Sequence, residues 1–343
     1  MIIYAIIFSL IFFLSQKNFN KINNFFRILS MGILVAFIGL RFGVGVDYFS
    51  YQDMFLEGDL STWVEPGYFY LMKFVHLLNG EFYWVTSIVA FITISFLYKG
   101  VTNLTPYFAL SIFFFLVSPS GYGFCVNGMR QGITAAIFLY SIKYIIEGQF
   151  YRYCTILLVG SLFHVSLLIL IPFYFIRKIK FRKNLYLLLV IVVIVLNQVN
   201  VFENVLLKAL SYTPWAFYLE VSGILGAAKT SSGLGFIFTN LVGLAVIYFI
   251  PERLVRQQKY AVIFNFYVIF LIFRNVFFSI LIIYRLVVYF EWVSFVALAI
   301  FLHQTFKLQT KQALILLILF LYSILFYNGL ANESYMLQYH LIS

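Results

Sequence analysis

Residues 152–176 read RYCTILLVGSLFHVSLLILIPFYFI, an apolar run long enough for one membrane helix of roughly 20 residues. Its flanks do not suit a single crossing. Arg152 stands in front of it and Arg177, Lys178, Lys180, Arg182 and Lys183 follow it. Lys and Arg gather on the cytoplasmic side of a membrane, so both ends belong inside, and one straight span cannot begin and end on the same side. The run therefore reads as two short helices that meet near His164, a broken or re-entrant pair. Such a break is tolerated at membrane depth only where protein or a water-filled cavity lines it.

Further apolar runs lie on either side, at 1–14, 28–40, 66–79, 82–98, 105–121, 129–146, 184–199, 233–250, 260–278, 281–302 and 313–329. The first has no small-residue cleavage site and reads as a retained helix. Lys17, Lys21 and Arg27 put the next loop inside, and the segments at 251–259 and 303–311 follow the same rule. The loop at about 41–65 is opposite in character, with Asp47, Asp53, Glu57, Asp59 and Glu65 against Arg41, and is placed outside. A second external loop covers about 200–232. The run at 66–79 carries Lys73 and His76 and suits an interfacial or re-entrant helix. The expectation is an all-α, polytopic integral membrane helix bundle of about 10–12 transmembrane helices, forming a single transmembrane domain over residues 1–343.

Composition excludes the main alternatives. Hydrophobic residues make up 63% of the chain and charged residues 10%, where a soluble protein has roughly 25% charged. A soluble domain could not hide 43 Phe and 26 Tyr, so a soluble enzyme, a disordered chain and a nucleic-acid-binding module are set aside. The net charge of +11 reflects cytoplasmic loops facing anionic lipid, and no nucleic-acid partner is implied. Cys125 and Cys154 offer no metal-ligand spacing and read as packing residues.

Chemistry is sought where charge meets the membrane. Arg41, Arg130, Arg274 and Arg285 all fall at outer helix ends, where an unpaired guanidinium costs several kcal/mol. Two readings stay open for each. The arginine pairs with a nearby carboxylate or snorkels to headgroups, or the four together form a cationic cavity for a phosphate or diphosphate. In GYGFCVNGMRQG, residues 121–132, Asn127 is expected to cap the following helix, which puts Arg130 in its first turn beside the positive end of the dipole. The opening of the first external loop, RFGVGVDYFSYQD at 41–53, adds a carboxylate, Asp47, and two phenols, Tyr48 and Tyr51, suited to a proton or a sugar face. His164 at the helix break is either a packed histidine or a base for an acceptor hydroxyl. Arg285 and Tyr289, four residues apart, are expected on one helix face pointing into the bundle.

In this order and spacing, Arg41-Phe-Gly-Val-Gly-Val-Asp47-Tyr48-x-x-Tyr51, Glu65-Pro-Gly-Tyr68, Arg130-Gln-Gly-Ile and Phe163-His164-x-Ser166 resemble the EpsG-like family of Wzy-type polysaccharide polymerases. The Arg285-x-x-x-Tyr289 element is similar too, so the resemblance runs over nearly the whole chain. It implies a GT-C-like membrane glycosyltransferase architecture in the bacterial cytoplasmic (inner) membrane, with an active site facing the periplasm or exterior. The implied activity joins undecaprenyl-diphosphate-linked oligosaccharide repeat units into O-antigen, capsular or exopolysaccharide, growing at the reducing end. The resemblance assigns Arg130 and Arg285 to diphosphate, Arg41 to an anion or a pair with Asp47, and His164 or Asp47 to the base. Glu65, Tyr48, Tyr51 and Tyr289 join the candidate substrate contacts, and Arg274 is a candidate by position alone. No tightly bound cofactor or metal is expected, and a chain-length regulator and a flippase in the same membrane are candidate partners. An O-antigen ligase and a lipid-linked oligosaccharide flippase are the competing readings.

Overall fold

A computed structural model of the chain describes residues 2–16, 20–57, 64–212, 233–277, 285–306, 340–341 and most of 315–327. The described residues are helical apart from turns and one short antiparallel pairing of β1 (Arg41–Phe42) with β2 (His340–Leu341). The chain divides into two compact units, residues 1–175 with 306–343, and residues 176–305, and each is described by itself.

The first unit runs through α1 (Ile2–Gln16), α2 (Asn20–Gly39), α3 (Tyr48–Glu57), α4 (Pro66–Leu77) and α5 (Phe82–Leu104), then α6 (Phe108–Leu116), α7 (Phe124–Asn127), α8 (Met129–Glu147) and α9 (Phe150–Gly160). Its core is the packing of α5 along α8 and α2. Val85, Val89, Ile94 and Leu97 of α5 and Ile133, Ala136 and Leu139 of α8 are buried there. On other faces Ile6, Phe13 and Phe91 stay exposed, as helix surfaces turned to hydrocarbon do and surfaces turned to water rarely do.

The run expected as one helix over 105–121 is instead bent. Ser118 is extended (φ −103°, ψ 131°) because the ring of Pro119 disfavours a helical residue in front of it, and the chain turns by 73° between α6 and the helical segment 119–127. The break expected near His164 is present: α9 stops at Gly160, residues 161–164 form a turn, and a 3-10 helix continues over Val165–Lys178. The Tyr153 hydroxyl donates to Leu170 O at 2.6 Å and ties the two halves together.

The second unit comprises α10 (Lys183–Gln198), α11 (Val201–Leu210), α12 (Leu234–Phe249), α13 (Glu252–Val255), α14 (Gln258–Val276) and α15 (Val287–Thr305). α14 packs along α15, and every residue from Val287 to Leu302 is buried. Asn240 and Asn275 exchange side-chain amide hydrogen bonds at 3.2 and 2.8 Å between α12 and α14, the kind of polar contact that joins helices in an apolar medium. Only part of the segment expected as a second external loop, 200–232, lies within the described residues, and there it is helical in α11.

Among the described residues α5, α14 and α15 are long and apolar enough to cross a membrane, and the bent α6–α7 pair makes a fourth. That is fewer than the runs suggested. Bends split some of them, and others, such as α10 and α12, form apolar helices shorter than the roughly 20 residues a perpendicular crossing needs.

Candidate functional site

Glu65 is the N-cap residue of α4, held extended (φ −61°, ψ 142°) by Pro66, whose missing N–H costs nothing at the first helical position. Its carboxylate makes no capping bond. It turns instead to two partners. Oε2 accepts from the Arg130 guanidinium in the first turn of α8, and Oε1 lies 2.6 Å from His164 Nδ1 in the turn after α9. Tyr51, on α3, sets its ring 5.8 Å from the Arg130 guanidinium. Four separate elements thus bring a guanidinium, a carboxylate, an imidazole and a phenol together. The cluster is open to a ligand: the side chains of Arg130 and His164 are 23% and 26% exposed.

Gly67 makes this meeting possible. Its N–H donates to Leu162 O at 2.7 Å, and a Cβ at this position would stand only 2.7 Å from that same oxygen. The start of α4 therefore docks directly on the turn that carries His164. Gly67→Ala is expected to push α4 off the turn and separate Glu65 from His164. The measurement is thermal unfolding of the purified chain in detergent; a wild-type unfolding temperature would show that the docking is dispensable.

Electrostatics sets the state of the carboxylate. Burial alone would push Glu65 up, but the hydrogen bond with His164 and the charge of Arg130 outweigh it and hold the group at about 2. Glu65 is therefore ionised throughout the physiological range. An ionised carboxylate on Nδ1 favours the tautomer with the proton there, which leaves Nε2 as the basic nitrogen.

Arg41 was expected to meet an anion or to pair with Asp47, and the structure gives it backbone partners. It is 0% exposed, and its guanidinium donates to Val44 O (Nε, 3.0 Å), Ile38 O (2.6 Å) and Val126 O (3.0 Å), with the Tyr48 ring 5.7 Å away. It is closed off from ligand, and so is Tyr48 at 2% exposure. Gly45 completes the junction with a backbone (φ 110°) that side chains rarely adopt, packed where a Cβ would lie 2.7 Å from Val126 O. Asn127 does not cap α8, as the sequence had suggested. Gly128 holds that position, and Asn127 Oδ1 accepts instead from Val46 N at 2.8 Å. The RFGVGVD segment is thus a brace that holds Val126 and Asn127, just ahead of α8 and of Arg130 in its first turn.

Asp47 is half-buried just before α3, where its carbonyl accepts from Tyr51 N at 3.0 Å. Arg274, Arg285 and Tyr289 belong to the second unit. Arg274 lies in the last turn of α14 with its guanidinium 5.9 Å from the Phe236 ring. Arg285 is exposed in the turn before α15, whereas Tyr289 is 0% exposed, so the two do not both face inward as expected. The reason is that α15 begins only after Arg285, at Val287. One residue had no role in the sequence reading. Tyr68, 0% exposed with its ring 5.6 Å from Tyr51, buries a hydroxyl that has no hydrogen-bond partner among the described residues. Its place in Glu65-Pro-Gly-Tyr68, one helical residue past the docking glycine, was the available signal. Among the described residues no group of three His, Cys, Asp or Glu side chains could hold a metal ion.

The apolar helices and the charged cluster at their ends define an all-α membrane protein. A family model described as the EpsG family matches residues 24–341, and the chain belongs to that family. Membership brings a polymerase-like, glycosyltransferase-associated role in polysaccharide biosynthesis. No curated protein and no solved structure matches the chain.

Proposed function

We propose that this chain polymerises undecaprenyl-diphosphate-linked oligosaccharide repeat units at the outer face of the bacterial cytoplasmic membrane, on a GT-C-like architecture. The growing glycan leaves its lipid diphosphate and joins the non-reducing hydroxyl of a new lipid-linked repeat, so growth is at the reducing end. The observation that carries this reading is the Arg130–Glu65–His164 cluster in a chain of the EpsG family.

In the proposed step the acceptor hydroxyl gives its proton to His164 Nε2 as its oxygen bonds to the anomeric carbon. The bond from that carbon to the diphosphate oxygen breaks, and the lipid diphosphate leaves with the electron pair. Glu65 orients the imidazole and stabilises the imidazolium that forms. Arg130, anchored by Glu65 on one side, offers its remaining N–H groups to the charge developing on the leaving oxygen. Tyr51 flanks the guanidinium. Asp47 is kept as an alternative base, and Arg274 and Arg285 as further candidate anion contacts. A chain-length regulator and a flippase are proposed neighbours in the same membrane.

The test is complementation of a strain lacking the gene. In a lipopolysaccharide producer, loss of the ladder with retention of core bearing a single repeat is expected, because translocation and ligation still operate. The wild-type chain should restore the ladder, and Arg130→Ala and His164→Ala at matched protein levels should not, each lowering polymer roughly 100-fold or more. Loss of even the single repeat would point to a flippase or a ligase. Full polymer from Arg130→Ala would sink the diphosphate assignment.

A further inference from the structure

In the second unit a cavity of about 580 Å³ opens between the segment leading into α10, the end of α12 and the start of α14. Its wall carries Arg177, Lys178, Lys180, Lys183 and Arg256 against a single acid, Glu252. That acid is paired with Arg256 at 3.2 Å, and among the described residues Lys180 and Lys183 make no ion pair. The wall is also built rather than loose. Gln258 Nε2 donates to Arg177 O at 2.6 Å, and Asn265 Nδ2 donates to Ile179 O at 2.8 Å. The Tyr186 hydroxyl closes the set by donating to Asn265 Oδ1 at 2.9 Å. The basic segment is thereby fastened by its backbone to α14.

Two long helices, α10 and α14, begin at this wall, and neither has a side-chain cap on its first N–H groups. Their positive ends add to the field of the lysines and arginines. Ile179, Phe181, Ile250 and Val255 give the cavity an apolar side as well. A concave site that combines several cations, free backbone donors and an apolar flank matches a phosphate carried on an apolar or organic body. The positive-inside rule puts this end of the helices in the cytoplasm.

We propose that this cavity is a binding site for a phosphate-bearing anion, separate from the Arg130–Glu65–His164 cluster. Such a phosphate has two sources, the headgroup of an anionic membrane lipid and a free phosphate compound. Lys180 and Lys183 are the side chains chosen to test it. Neither makes an ion pair among the described residues; Lys183 Nζ lies 5.0 Å from the Tyr248 ring.

The experiment uses the full chain purified in a neutral detergent. Retention of phosphatidylglycerol and of phosphatidylcholine is read by native mass spectrometry, and inorganic pyrophosphate is added separately with thermal unfolding as the readout. The Lys180→Gln/Lys183→Gln double variant is compared with wild type and with Lys99→Gln/Arg152→Gln, which removes the same charge from the first unit. Phosphatidylglycerol is expected to be retained in preference to phosphatidylcholine by wild type and by the control pair. The Lys180/Lys183 variant should lose roughly tenfold or more of that preference. Stabilisation by pyrophosphate that vanishes in the same variant would support the site with a free phosphate as its source; lipid preference alone would support it with a headgroup. Equal retention of the two lipids with no pyrophosphate effect, or binding unchanged in the Lys180/Lys183 variant, would overturn the proposal. Unfolding of the variant without ligand at the wild-type temperature shows that the fold is intact. The readout is binding, so failure here is distinct from failure of the polymerase reading.

Discussion

Glu65→Gln is expected to cut polymer formation roughly 100-fold or more while the chain still reaches the membrane. Glutamine fills the same space, and its oxygen can still meet Nδ1–H of His164, but the charge is gone. The imidazolium formed during proton abstraction then loses its counter-ion, and the part-buried guanidinium of Arg130 loses its partner. Glu65→Asp, which keeps the charge on a shorter arm, should recover part of the activity. Undiminished polymer from Glu65→Gln at matched protein levels would remove Glu65 from the mechanism.

The same variant has a pH signature with a definite sign. The Glu65 carboxyl is lowered from 4.5 to about 2, so its stabilisation is fully present above about pH 4.5 and fades as the pH falls towards 2. The glutamine variant never has that contribution. The gap between wild-type and variant unfolding temperatures in detergent should therefore be constant from pH 5 upward and close below it. A gap that stayed the same down to about pH 3 would mean that the carboxylate is not held by Arg130 and His164.

Arg41→Met is expected to prevent stable folding rather than to weaken substrate binding. Methionine is apolar and of similar length, but it leaves the carbonyls of Ile38, Val44 and Val126 buried without their donor. Such losses sum to about 3–5 kcal/mol, a large share of the 5–15 kcal/mol that holds a typical domain together. Arg41→Lys should fare little better, because a single ammonium cannot reach three carbonyls in the directions a guanidinium fork does. Fluorescence-detected size-exclusion of tagged protein measures this: aggregated or absent protein is expected for both variants. A monodisperse Arg41→Met chain with lost activity would instead restore the anion-binding role.

The class of fold was legible in the residues themselves. A membrane helix must satisfy every backbone group internally and present apolar side chains to lipid, so its length and composition are written locally, and α8, α10, α12 and α14 start and stop within about two residues of the apolar runs. The break near His164 was legible for a similar reason, since the basic residues at both ends of 152–176 are a local record of topology. The bend at Ser118–Pro119 was within reach of the same reading, because a proline constrains the residue in front of it.

The partners of the charges were not legible. Sequence placed Arg41 and Arg130 alike at helix ends, yet one donates to three carbonyls inside the protein and the other pairs with a carboxylate 65 residues away in the chain. Likewise Arg285 and Tyr289 have helical spacing, but the helix starts between them. Which helices form depends on neighbours along the chain, and the residues carry that information directly. Which charge meets which depends on how those helices dock, through approaches as close as that of Gly67 to Leu162, and an interaction between residues distant in sequence exists only once the tertiary structure has brought them together.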